Sequence, residues 1–229
     1  MPERQSEYLR PYRDAVRACG PTFGALLWHS RAYQQVRFKV LTDSIRDVIA
    51  AGHASRRCPL QGRVFVDLGC GCADYALHLA AEGIEYGRYL GVEGVPELAE
   101  ASRRAVALLP EARIIEADFA ADPGVVDSLA AGGGDVFILS GSLNTMDEHM
   151  AREVLERAWR AVARVRRGVL AFNFLSDRSE GPGLDGCGPA RRFGTLAMIS
   201  WAVRACPSVI VRHDYLGGRD ATIVMVAEA

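Results

Sequence analysis

The chain has 229 residues, 49% of them hydrophobic and 24% charged, which suits one α/β domain and excludes a disordered segment. Its 27 Lys and Arg against 28 Asp and Glu leave a formal charge of -1, so no basic surplus marks a nucleic-acid or anionic-membrane partner. The six cysteines, Cys19, Cys58, Cys70, Cys72, Cys187 and Cys206, form neither a Cys-x-x-Cys pair nor a zinc spacing, so no metal site is expected.

Two helices are expected ahead of any strand, over 8–19 and 33–51, joined by 20–30. They make residues 1–60 a helical N-terminal cap. From about residue 63, short apolar runs alternate with helical patterns, which points to a mostly parallel sheet wrapped by helices. The run 63–67 reads as a first strand ending at a glycine-rich turn, with helix formers at 74–81 behind it. The second strand is 89–93. Pro96 and Glu97 suit the first turn of the next helix, and Pro110 is expected to stop it. Strand three follows at 112–117, a short helix at 125–131 and strand four at 135–140.

Thr145-Met-Asp-Glu148 has the spacing of a capping box, ahead of a helix with Met150, Val154, Leu155, Ala158 and Val162 on one apolar stripe. Strand five is 169–175. Four glycines and two prolines make 181–189 a loop. A helix over 193–206 and an antiparallel pair, 209–214 and 221–227, close the chain. The fold expected for 61–229 is a doubly wound, mostly parallel seven-stranded sheet with an antiparallel last strand, the whole forming one domain. Apolar stretches such as 193–203 are too short to span a bilayer. The opening residues lack the series of a secretory signal. A soluble, reduced, cytoplasmic protein is expected.

The chemistry begins at Asp67-Leu-Gly69-Cys70-Gly71-Cys-Ala73, where a strand turns into a helix. A doubly wound sheet binds nucleotide-like ligands at such a turn. The diphosphate fingerprint Gly-x-Gly-x-x-Gly is not met, because Asp74 stands at its third glycine. Asp67 closes the strand, and a carboxylate there repels a diphosphate but welcomes a cation. Glu93 closes the second strand, where an acidic group accepts both hydroxyls of a ribose. A ligand with a ribose, a positive charge and no phosphate is S-adenosylmethionine rather than NAD or ATP.

With these residues in view, the sequence resembles the class I S-adenosylmethionine-dependent methyltransferases. Asp67–Ala73 resembles the family motif Asp-x-Gly-x-Gly-x-Gly, with Ala73 in its last place. The resemblance implies that Asp67 and the Gly69-Cys70-Gly71 turn lie against the methionine part of the cofactor. Gly91-Val-Glu93 is similar to the second motif, putting Glu93, with Gly94 after it, at the ribose. Glu116-Ala-Asp118-Phe119 resembles the segment after strand three, with Asp118 on the adenine amino group and Phe119 on its ring. Ser140, Gly141, Ser142 and Asn144 then stand beside the sulfonium. Gly20-Pro-Thr22, Trp28-x-Ser30 and Gln34-x-x-Arg37-Phe38, with Phe172–Leu175 and His213–Tyr215, resemble a group of small bacterial methyltransferases.

Gln34 and Arg37 share a helix face. Together they suit the methionine carboxylate, although an ordinary exposed arginine reads the same way. Trp28 either stacks over the ligand or anchors the cap in the core. Methyl transfer from a sulfonium is an in-line displacement that demands orientation and exclusion of water more than acid–base groups. Asn144 and Asn173, at the ends of strands four and five, are the candidate catalytic residues, each able to orient an acceptor. His29, Tyr33 and His149 are possible bases, Tyr12 a lining residue of the acceptor side, and Arg191 and Arg192 a receiver for an anionic acceptor. His213 and Asp214 read as hairpin structure.

The expected function is methyl transfer from S-adenosylmethionine to a small-molecule acceptor, in specialised metabolism and with a homodimer as the expected assembly. Two other readings stay open. An enzyme of this fold similar to azetidine-2-carboxylate synthases cyclises S-adenosylmethionine itself, releasing methylthioadenosine without a second substrate. A non-catalytic S-adenosylmethionine-binding protein needs the ligand motif but no acceptor pocket.

Overall fold

The computed structural model describes residues 7–51, 60–179 and 189–228. After a short 3-10 turn (Glu7–Leu9) come α1 (Arg10–Cys19) and α2 (Arg31–Ala51), joined by a second 3-10 turn, Phe23–Leu26. The alternating part follows as β1 (Val64–Leu68), α3 (Asp74–Ala81), β2 (Arg88–Glu93), α4 (Pro96–Ala105), β3 (Ala112–Glu116), α5 (Pro123–Ala131), β4 (Val136–Ser140) and α6 (Glu148–Val162). It ends with β5 (Val169–Ser176), β6 (Arg192–Phe193), α7 (Thr195–Ala205), β7 (Ser208–Arg212) and β8 (Asp220–Val226).

One sheet runs in the order β3-β2-β1-β4-β5-β8-β7, with β6 paired to the end of β5. All pairings are parallel except those of β8, which is antiparallel to both β5 and β7. The expected seven strands are therefore present, and the two-residue β6 is an addition. Strand residues alternate between two apolar layers, as a pleat with both faces covered requires. Phe65, Val136, Ile138, Ala171 and Val224 face one layer; Val66, Phe137, Leu139, Phe172 and Ile223 face the other.

α2 is more than a cap. Its Phe38, Leu41, Ile45 and Ile49 are buried with Tyr75 and Leu79 of α3 against the first sheet face. It thus supplies one of the helical layers, while Tyr8, Leu9 and Val16 join the layer of α5 and α6 on the other face. At the opposite end of the strands from the turns, Arg63 Nη1 meets Asp135 Oδ2 at 2.9 Å, and Asp135 Oδ1 accepts Val64 N–H at 2.8 Å. This pair ties β1 to the start of β4.

Several boundaries differ from the sequence reading. α6 is capped by Asp147, whose Oδ1 accepts Met150 N–H at 2.8 Å, rather than by Thr145; residues 141–145 are taken up by a turn. α4 ends at Ala105, before Pro110 is reached. α5 begins earlier than 125, because Asp122 caps it and Pro123 fits its first turn. Phe193 lies in β6 and not in a helix; α7 starts at Thr195, whose N–H is taken by Asp177 Oδ1 at 2.9 Å. That bond holds the Asp177 carboxyl below its ordinary range. Most of the expected loop 181–189 lies outside the described residues, as do Cys58 and Cys187. No helix among the described residues is long and apolar enough to cross a membrane.

Candidate active site

β1 is the point where the strand order reverses, with β2 on one side and β4 on the other. Turns leaving β1 and β4 in opposite directions open a crevice beyond their carboxyl ends. A cavity of about 240 Å³ lies there. Gly69 and Gly71 make the β1 turn at φ +84° and +58°, a region that favours glycine. A Cβ on Gly69 would sit 2.5 Å from Ser142 Cβ, so the β1 and β4 turns touch. Ala73 also adopts the left-handed conformation (φ 60°, ψ 28°). Its departure from the glycine motif costs roughly 1–2 kcal/mol, partly offset by the full burial of its methyl group.

Glu93 links this turn to the next. Its Oε2 accepts Gly71 N–H and its Oε1 accepts Val95 N–H, both at 2.9 Å. Burial raises its pKa to about 7 against the pull of these N–H donors. Asp67 is raised to about 7 by burial as well, although Tyr89 O–H donates to its Oδ2 at 2.5 Å. Two carboxylates thus line the cavity in conditions where each lacks a compensating positive charge and gains from a cationic or hydroxyl-bearing ligand. Cys70 lines it too, but burial pushes its thiol well above the ordinary value, which leaves no thiolate.

The N-terminal segment roofs the cavity. Leu9 Cδ1 lies 2.8 Å from where a Cβ on Gly94 would stand, and Trp28 ring carbons lie 3.0 Å from that point on Gly141, whose φ is +80°. Trp28 lines the cavity and packs edge-on against Phe38 at 6.1 Å. Arg37 is 5% exposed and so is not an ordinary surface arginine. It pairs with the fully buried Asp220 and stacks on Trp28, 4.8 Å from the ring centre. Gln34 donates Nε2–H to Asp74 Oδ2 at 2.8 Å.

Gln34 Oε1, Arg37 Nε, Ser142 Oγ and Asn144 Oδ1 are buried and have no hydrogen-bond partner. All four residues line the cavity. A buried polar atom left unpaired costs about 1–3 kcal/mol, so this wall is unsatisfied until a polar ligand meets it.

Of the candidate catalytic and cofactor-binding residues, Trp28, Gln34, Arg37, Asp67, Gly69, Cys70, Gly71, Glu93, Gly94, Phe119, Ser140, Gly141, Ser142 and Asn144 all line the cavity. Two do not. Asp118 sits behind the wall, its Oδ1 accepting from Tyr8 O–H at 2.8 Å, Ala121 N–H at 3.0 Å and Ala120 N–H at 3.1 Å. Through that oxygen it organises the turn and anchors the roof. Asn173 is fully buried. Its Nδ2–H donates to Ser140 Oγ at 2.9 Å and its Oδ1 accepts Gly141 N–H at 3.0 Å. With both ends engaged it is a positioning residue for the β4 turn, not an acceptor ligand.

Among the candidate bases, His149 is 84% exposed beside Glu153, away from the cavity. His213 Nε2 is held by Gly218 O at 2.8 Å and Ser176 Oγ at 3.0 Å, and Asp214 pairs with Arg212; both are hairpin structure. His29, Tyr33 and Tyr12 line the cavity. Burial pushes Tyr12 up to about 12, which makes it a donor and not a base near neutral pH. Arg191 and Arg192 do not line the cavity; the Arg192 guanidinium donates to Ser176 O. Arg219 does line it. Arg219 and Tyr8 on the wall, and Asp220 behind Arg37, are among the residues of the site that sequence reasoning missed; Asp220 and Arg219 are neighbours in the chain. An Arg-Asp pair just ahead of and at the start of an otherwise apolar strand was the available signal for Arg219 and Asp220.

No protein-family model and no curated protein sequence matches the chain. Solved structures do. An O-methyltransferase family protein from Burkholderia thailandensis matches at a TM-score of 0.59 and 18% identity, over 99% of this chain and 68% of that one. DhpI in complex with SAH matches at 0.61 and 14%, over 99% and 96%. Phosphoethanolamine N-methyltransferase 1 of Haemonchus contortus, bound to phosphoethanolamine and S-adenosylhomocysteine, matches at 0.66 and 11%, over 100% of this chain and 50% of that one. The chain has the Rossmann-like fold of class I methyltransferases.

Proposed function

We propose that the protein is an S-adenosylmethionine-dependent methyltransferase acting on a small-molecule acceptor. The observation that carries this reading is the pair of buried carboxylates, Asp67 and Glu93, at the ends of β1 and β2 across a two-glycine turn. They ask for a cation and a diol and would repel a diphosphate. The unsatisfied donors and acceptors on the wall fit the rest of such a ligand. Arg37 Nε and Gln34 Oε1 suit an amino-acid carboxylate and ammonium, and Phe119, edge-on to Tyr8 at 6.2 Å, suits a purine ring. The fold shared with structures solved with S-adenosylhomocysteine supports the same ligand.

When bound, S-adenosylmethionine supplies an electrophilic methyl group on a sulfonium. The chain's own residues have three tasks. Glu93 and Asp67 hold the donor, with charge complementarity gained only when both carboxyls are ionised. Ser142 and Asn144 present polar atoms on the β4 turn, whose shape Asn173 maintains, and orient the acceptor. Trp28, Leu9 and Leu26 exclude water, which strengthens each polar contact inside. A base is needed only for an acceptor that must lose a proton; among the described residues His29 is the histidine on the cavity wall.

Calorimetry with S-adenosylmethionine, S-adenosylhomocysteine, NAD and ATP tests the assignment. The first two should bind, and the phosphate-bearing pair should not. Binding of NAD or ATP alone would overturn it. Mass spectrometry after incubation with S-adenosylmethionine alone then separates the reactions. An intact donor calls for an external acceptor; methylthioadenosine with a new cyclic amino acid makes the protein a cyclising enzyme.

A further inference from the structure

We propose that Arg219 is the anion anchor at the acceptor end of the cavity, and that the acceptor is a small molecule bearing a carboxylate or phosphate group. The cavity wall carries charges of both signs. Asp67, Asp74 and Glu93 line it from β1, α3 and β2, whereas Arg37 and Arg219 line it from α2 and the start of β8. The other charges are accounted for: Arg37 pairs with Asp220, and Asp74 accepts from Gln34. Arg219 makes no direct ion-pair contact among the described residues, its charge acting on the neighbouring Asp220 only at longer range, and its Nε is buried without a hydrogen-bond partner. Its guanidinium lies over the Tyr33 ring, 5.3 Å from the centre, and Tyr33 in turn stacks on His29 at 4.9 Å. A guanidinium held by its face keeps its edge donors, which match a planar or tetrahedral oxyanion.

Position agrees with charge. Arg219 O accepts Ser176 N–H at 2.9 Å, so the residue sits at the end of β5, and β5 separates β8 from β4. Two strand spacings set it about 10 Å to the side of β4, and it stands opposite Ser176, past the Asn173 that pairs with Ser140, so an acceptor with its anion at Arg219 and its reacting atom near Asn144 bridges from beside β4 to the turn beyond its end. The proposal rests on the donor reading above for which end of the cavity belongs to the acceptor. Arg219 thereby takes the role that the sequence pattern offered to Arg191 and Arg192.

The test is titration of the protein, with and without S-adenosylhomocysteine, by benzoate, phenyl phosphate and benzamide, in wild type, Arg219→Gln and Arg219→Lys. We expect one or both oxyanions to bind at least roughly tenfold more tightly than benzamide, and the tighter of the two identifies the group. Arg219→Gln should erase that preference, Arg219→Lys should keep part of it, and S-adenosylhomocysteine affinity should change by less than about twofold. Equal binding of all three probes by wild type overturns the proposal, as does a preference that survives in Arg219→Gln. A roughly tenfold loss of S-adenosylhomocysteine affinity in Arg219→Gln also overturns it, because Arg219 would then serve the donor. If S-adenosylhomocysteine does not bind wild type, the donor reading fails, and the oxyanion comparison in its absence still decides whether Arg219 receives an anion. The side chain can be changed without loss of the hairpin, since Arg219 holds its place through main-chain bonds to Leu216 and Ser176.

Discussion

Gly69→Ala is the sharpest probe of the contact between the β1 and β4 turns. Two costs add. The residue lies at φ +84°, where a Cβ costs roughly 1–2 kcal/mol. That Cβ would also stand 2.5 Å from Ser142 Cβ and 3.2 Å from its Oγ. Ordinary carbon contacts are about 3.5–4.0 Å, so the turns must part by about 1 Å or more, an overpacking worth about 1–3 kcal/mol. Gly83 supplies the control. Its φ is +62°, and a Cβ there meets nothing within 4 Å, so Gly83→Ala carries the backbone cost alone. Urea unfolding should show Gly69→Ala about 1–3 kcal/mol less stable than Gly83→Ala. Calorimetry should show S-adenosylhomocysteine affinity lost in the former and kept in the latter. Equal stability within about 0.5 kcal/mol, with unchanged affinity, would refute the close approach on which the cavity's geometry depends.

Asp220→Asn leaves Arg37 buried and uncompensated, and should cost about 3–5 kcal/mol; the double variant Arg37→Met/Asp220→Leu should recover most of it in urea unfolding, and additive losses would show that the two charges do not interact. Asp67 and Glu93 each rise from ordinary carboxylate values to about 7 in the folded protein. The folded state then holds more protons than the unfolded one between about pH 4 and 7, so ligand-free stability falls as pH rises through that window. A cationic ligand favours the ionised forms, so S-adenosylmethionine binding near pH 6 should release protons and tighten toward about pH 8; calorimetry in buffers of different ionisation enthalpy would count against this if it found uptake. Asn173→Ala deprives Ser140 Oγ and Gly141 N–H of partners and should cost about 1–3 kcal/mol in thermal unfolding. Its S-adenosylhomocysteine affinity should fall with it, and a variant of wild-type stability would remove the positioning role.

What the sequence made legible was local. The β1 turn announces itself because two glycines and a terminal carboxylate have to be neighbours in the chain, and the same holds for Glu93 and for Ser140–Asn144. All of these except Leu143, which points into the core, line the cavity. That 33–51 forms a helix was equally readable, but not that its Phe38, Leu41 and Ile45 cover a sheet face, because a helical segment does not say what it meets. The misses share one cause: each depends on a partner far along the chain. Asp118 was named for a ligand contact, but its bond from Tyr8 of the N-terminal segment was not visible in the sequence. Asn173 fits an acceptor ligand until the pairing of β4 with β5 sets it opposite Ser140, close enough to bond that turn at both ends of its amide. Arg37 was found, but its counter-ion Asp220 was not, since only the antiparallel return of β8 beside β5 brings the two together. That same return delivers Arg219 to the cavity. Short-range motifs therefore specify the wall built by the β1, β2 and β4 turns, whereas the Arg37 and Arg219 side of the cavity is assembled by elements distant in sequence, which is why the first was legible in the chain and the second was not.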